Sequence, residues 1–125
     1  MKKLLILATM FLSSAVQAET FFCETSGWAR VSQSGQGTGK SDDIYIVDSD
    51  KGWKATGISD YEGVCDFLKL GEREVLECKN TEGPSELDNM IRYEFTIWLG
   101  STNEFVKLDR FAGSVTAFSG RCTKI

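Results

Sequence analysis

The sequence predicts a mainly β domain, an antiparallel β-sandwich or small β-barrel stapled by two disulfides. Three observations carry that expectation. Apolar residues recur with period two far more often than with period 3.6, as half-buried strands require. Gly, Ser, Asn and Asp interrupt them every several residues. Four cysteines, Cys23, Cys65, Cys78 and Cys122, lie in a chain of 125 residues that opens like an exported precursor. An even cysteine count in a short exported chain reads as a disulfide framework, because the compartment oxidises thiols.

The opening segment is Met1-Lys2-Lys3, an apolar run from Leu4 to Leu12, and then small residues ending Val16-Gln17-Ala18. A basic start, a short apolar stretch and a small-x-small end make a secretion signal, with cleavage expected after Ala18. The apolar run is too short to cross a bilayer, so no stable membrane anchor is expected. Residues 1–18 are thus read as a signal peptide, and residues 19–125 as one secreted domain, periplasmic or released. The signal carries two of the fourteen basic residues and none of the eighteen acidic ones. The remainder keeps twelve basic against eighteen acidic residues, a formal charge of −6. That balance makes nucleic acid an unsuitable partner.

Along the secreted part, residues 20–24 and 28–33 read as two early strands, and residues 34–42, rich in Gly and Ser, as a flexible loop. Residues 43–48 and 53–57 form a hairpin through Ser49-Asp50-Lys51-Gly52. Residues 64–70 and 73–79 form a second hairpin across Gly71-Glu72, with Gly71 supplying the positive φ of a type II′ turn. Two-residue closure sets Leu70 opposite Arg73, and the register follows: Lys69 faces Glu74, Phe67 faces Leu76 and Cys65 faces Cys78. The cysteines then occupy a non-hydrogen-bonded pair, where side chains are closest. One register gives an opposite-charge pair, an apolar pair and a bridgeable cysteine pair, which favours it over an amphipathic helix across residues 60–78. With Cys65 bonded to Cys78, Cys23 is left for Cys122. Residues 80–89 hold the only proline, Pro84, and read as a longer connection with one helical turn after Ser85. The clearest strand is 91–99: Ile91, Tyr93, Phe95, Ile97 and Leu99 share one face, and Arg92, Glu94, Thr96 and Trp98 the other. Residues 104–111 and 114–122 complete the set, turning near Ala112-Gly113.

No histidine occurs in the chain, which removes the commonest general base and metal ligand. No two cysteines have the spacing of a redox pair or a zinc knuckle. The segment Ser34-Gly35-Gln36-Gly37-Thr38-Gly39-Lys40-Ser41 approaches a phosphate-binding loop, but Ser34 replaces the first glycine and a strand follows where a helix is needed. Asp48-Ser49-Asp50-Lys51-Gly52 resembles the start of a calcium loop, yet the fifth position is Gly52 and the twelfth Ser59. No catalytic residue, metal site or cofactor is assigned. The candidate contact is Trp98, with Arg92 and Glu94 on the same polar face, since a large aromatic there suits a partner. The expected function is an exported binding module that contacts a protein or glycan of the cell envelope. A β-barrel carrier of a small apolar ligand and a histidine-free hydrolase are the alternatives.

Overall fold

A computed structural model describes residues 17–80, 92–111 and 113–125 of the chain. Residues 1–16, within the segment read above as a signal peptide, residues 81–91, which include the expected connection around Pro84, and Ala112 lie outside the described residues. Nine antiparallel strands are described: β1 Thr20–Ser32, β2 Gly35–Gly39, β3 Ile44–Asp48, β4 Gly52–Ala55, β5 Val64–Leu70, β6 Arg73–Asn80, β7 Arg92–Trp98, β8 Glu104–Phe111 and β9 Ser114–Lys124. Eight follow in the order β4-β3-β1-β9-β8-β7-β6-β5, and β2 joins β1 alone.

The two ends of that order meet at one point. Trp53 and Glu62 exchange backbone hydrogen bonds of 2.9 Å in each direction, so the sheet is nearly closed into a barrel. Glycine makes the closure sterically feasible. Gly63 has φ +83°, and a Cβ on it would lie 1.9 Å from the Trp53 ring. Any larger residue would push the Trp53 indole out of the seam.

β1 is the spine. Residues 20–24 pair with β3, residues 28–32 pair with β2, and β9 runs along nearly the whole strand. The expected pair of early strands is therefore one continuous strand. A bulge interrupts it: Thr25 faces Gly120 and Gly27 faces Ser119, leaving Ser26 unmatched. One extra residue reverses the alternation of side chains. Phe21, Cys23 and Thr25 point inward before the bulge, and Trp28 and Arg30 join the inner face beyond it.

The expected flexible loop over residues 34–42 is corrected, since Gly35–Gly39 is a strand hydrogen-bonded to β1. Gly37 and Gly39 serve close approach rather than mobility. Trp28 is paired directly with Gly39, and a Cβ on Gly39 would fall 2.6 Å from the indole nitrogen. The strand is bare so that Trp28 can lie across it, and the glycine pattern of a phosphate loop is the by-product.

The β5–β6 ladder has the register expected from the turn, from Leu70↔Arg73 through Cys65↔Cys78, and Gly71 has φ +66°. Both disulfides form as expected, Cys65–Cys78 and Cys23–Cys122, each between directly paired residues with Cα atoms 3.9 and 4.0 Å apart. The barrel interior is filled by aromatic rings and these two cystines. Phe95 stacks on Phe105 at 5.0 Å, Tyr45 meets Phe95 edge-on at 5.7 Å, and Trp53 tilts against it at 6.3 Å. Leu76, Ile97 and Val47 close the gaps and are fully buried.

Candidate functional site

Trp98 ends β7 on the outer face of the barrel, paired with Val75 on one side and Glu104 on the other. It is half-buried. Val75 faces outward yet is 0 % exposed and lies outside the interior cluster. Its lateral neighbours, Leu68 of β5 and Trp98, cover it. Part of the indole therefore packs, and the rest forms one wall of an open depression of about 290 Å³. Val106 of β8 lies in the floor, and Glu104, Ser119, Ser26 and Arg121 complete the rim.

Sequence reasoning selected only the tryptophan of this group. Arg121 is brought opposite Glu104 by the β8–β9 register and opposite Glu24 by the β1–β9 register. Among the described residues its guanidinium is in no ion pair. Two further shallow depressions also have Arg121 in their walls, one with Glu24 and Ser26 and one with Asn103 and Lys124. Ser26 reaches the rim because the bulge displaces it, and its hydroxyl donates to the Ser119 carbonyl at 3.1 Å. A bulge of this kind leaves no signature in the sequence.

Glu94 and Arg92 share the outer face with Trp98 but lie four and six residues back along β7. At ~3.3 Å per residue they stand about 13 and 20 Å from it. Glu94 is flanked by Lys79 and Leu108, and Arg92 by Arg110. They extend the surface beside Trp98 without lining its depression.

A second constellation was not foreseen. Lys107, in mid-β8, points into the barrel and is 6 % exposed. Its Nζ donates to Asp109 Oδ1 at 2.6 Å. The faces of Tyr45, Tyr93 and Phe118 surround the ammonium at 5.1 to 5.3 Å from their centroids. Beside it, Arg30 Nε donates to Thr116 Oγ1 at 3.2 Å, and the guanidinium lies 5.7 Å from the centroid of Trp28. Three ring faces and one carboxylate satisfy the lysine from all sides, with its side chain 7 % exposed. Such an amine has no open path for a carbonyl substrate, so the group reads as a packed ionic layer across the barrel end.

The same layer perturbs its tyrosines. Burial pushes the Tyr45 phenol from 10 up to about 12, with the carboxylates of Asp43, Asp109 and Glu62 adding to it. Burial first, then Asp109 and Glu62, also raises Tyr93. A phenol whose folded pKa exceeds its unfolded value stabilises the fold below pH 10, and that contribution fades as pH climbs from 10 toward 12. Ultraviolet titration of phenolate should show one tyrosine ionising near pH 12. Tyr45→Phe should remove that step; a titration unchanged by the substitution would assign it elsewhere.

The calcium-like loop resolves into a turn. Asp48 Oδ1 accepts the amides of Asp50 and Lys51 at 2.9 and 3.1 Å, and Oδ2 accepts the Thr20 hydroxyl at 3.2 Å. Both carboxylate oxygens thus hold the β3–β4 connection and the start of β1, as an Asx turn does. Comparison with known proteins finds no matching protein family, no similar curated protein and no similar solved structure.

Proposed function

We propose that the chain is an exported binding module that contacts a protein or glycan of the cell envelope through the outer-face depression beside Trp98. The observation that carries this reading is the position of Trp98, half-buried on the wall of an open depression whose rim holds Arg121 and Glu104. An aromatic anchored by packing on one side loses little conformational freedom when a partner covers the other. A guanidinium and a carboxylate beside it supply donors and acceptors for a polar partner. The two disulfides are compatible with an oxidising extracellular or periplasmic compartment. The packed interior, filled by Phe95, Phe105, Trp53 and the cystines, supports an outer-surface contact over an apolar ligand carried inside.

The test is co-sedimentation of the purified chain, from Glu19 onward, with envelope fragments, alongside a Trp98→Ala variant of matched thermal stability. Saturable binding weakened about 30-fold or more by the substitution is expected, the effect of losing a central aromatic anchor. A folded variant that binds as wild type sinks the reading. Protease treatment of the fragments separates the partner classes, since a glycan survives it.

A further inference from the structure

We propose that the open edge of β5 pairs, antiparallel and across a two-fold axis, with the β5 edge of a second copy of this chain. The bridge between Trp53 and Glu62 closes the barrel two residues before β5 begins. From Val64 onward the strand has β6 as its one ladder among the described residues. The turn at Gly71-Glu72 makes Leu70↔Arg73 a hydrogen-bonded pair, and the pairing type then alternates along the ladder. Val64, Asp66, Leu68 and Leu70 direct their amides and carbonyls to β6. Cys65, Phe67 and Lys69 direct theirs to the open side.

The side chains along this edge suit a strand neighbour. Val64, Leu68 and Leu70 share the outer face and are 65 %, 39 % and 59 % exposed, three of the seven large apolar residues exposed among the described residues. Edges that must stay solitary are blunted by prolines, bulges, covering segments or charged side chains. The β5 ladder has neither a proline nor a register shift, and its charged residues are Asp66 and Lys69, on opposite faces of the strand.

The occupant follows from symmetry. Centring the two-fold on Phe67 opposes Cys65 to Lys69 of the partner subunit, and Phe67 to Phe67 of the partner subunit. Every residue with a free amide then faces another such residue, and all seven residues of β5 are used. On the outer face Val64 meets Leu70 of the partner subunit twice, and Asp66 meets Leu68 of the partner subunit, so no like charges oppose. Sliding the strands one step toward Val64 would set Asp66 against itself, which this register avoids. The pairing is independent of the Trp98 reading. It would place the two β7 strands on one continuous face, five strand spacings or about 24 Å apart.

Sedimentation velocity of the chain from Glu19 onward should show a concentration-dependent monomer–dimer equilibrium. In amide exchange, protection at Cys65, Phe67 and Lys69 should rise with protein concentration, while the amides of Leu68 and Leu70 are protected throughout. Lys69→Pro removes one open-edge N–H without touching the β6 ladder. It should weaken the dimer about tenfold or more, through two interchain hydrogen bonds lost. Leu70→Asp, on an exposed side chain, provides a second disruption if the proline variant misfolds. A monomer at the millimolar concentrations of NMR overturns the proposal. So does a dimer whose open-edge amides stay unprotected or whose affinity neither substitution changes.

Discussion

Replacing Cys23 and Cys122 together by alanine is expected to remove a large part of the stability of the fold, and more than the same change at Cys65 and Cys78. The two bridges differ in the chain they close, with sequence separations of 99 and 13. In the chain-entropy account the longer closure contributes about 4–5 kcal/mol and the shorter about 3 kcal/mol. Packing acts in the same direction. Cys23 and Cys78 are fully buried and Cys122 is 5 % exposed, all within one cluster with Phe21, Tyr45 and Phe105. Only Cys65 lies at the margin of that cluster. Domains of this size retain roughly 5–15 kcal/mol in total, so losing the long bridge removes about a third of it or more. Urea unfolding of the two double variants measures the order directly. An equal loss from both pairs would show that the unfolded chain is held compact by something other than the β1–β9 cystine. The two bridges are compatible with an oxidising extracellular or periplasmic compartment, and reduction of both would remove the two contributions together.

The parts of this architecture that were legible in the sequence are those fixed by local chemistry. The β5–β6 register could be read residue by residue because one glycine sets the turn and every later pair follows from it. The hairpin of β3 and β4 and the extents of β8 and β9 were legible for similar reasons. Closure into a barrel was not, because it rests on Trp53 passing over Gly63 to meet Glu62, a contact that no periodicity encodes. β2 was misread because Gly37 and Gly39, which open space for the Trp28 indole, look like the glycines of a mobile loop. The candidate site was half legible. Trp98 stood out on a polar face, whereas Ser26, Glu104 and Arg121 come together only through the bulge and the strand order. β8 shows the limit most clearly. Its residues Glu104-Phe105-Val106-Lys107-Leu108-Asp109 alternate ambiguously, and hydrophobicity alone would turn Val106 and Leu108 inward. The structure turns Phe105, Lys107 and Asp109 inward instead.

That inversion makes Asp109 a sensitive polar position in the barrel, the counter-ion of the buried Lys107. Asp109→Ala should destabilise the protein by about 3–5 kcal/mol, the usual cost of leaving a buried partner charge without its counter-ion. The rings of Tyr45, Tyr93 and Phe118 attract the Lys107 ammonium. Cation–π attraction of about 2 kcal/mol for each desolvated contact does not replace the water and carboxylate that a bare ammonium loses. Lys107→Met should also destabilise, by less, because Asp109 keeps more solvent contact, its side chain being 14 % exposed against 7 % for the lysine. Methionine fits the same ring cage, where sulfur packs favourably against aromatic faces. The informative variant is the double one, Lys107→Met with Asp109→Leu. A buried ion pair exchanged for apolar groups of similar size is often neutral or stabilising. The double variant should therefore regain most of what either single change lost, a large coupling in a double-mutant cycle. Recovery would mean that the ionic layer fixes which strands meet at the barrel end without adding net stability. Additive losses would instead mean that Asp109 serves a second partner, with Thr116 and Tyr93, its neighbours in the ladder, the first to examine.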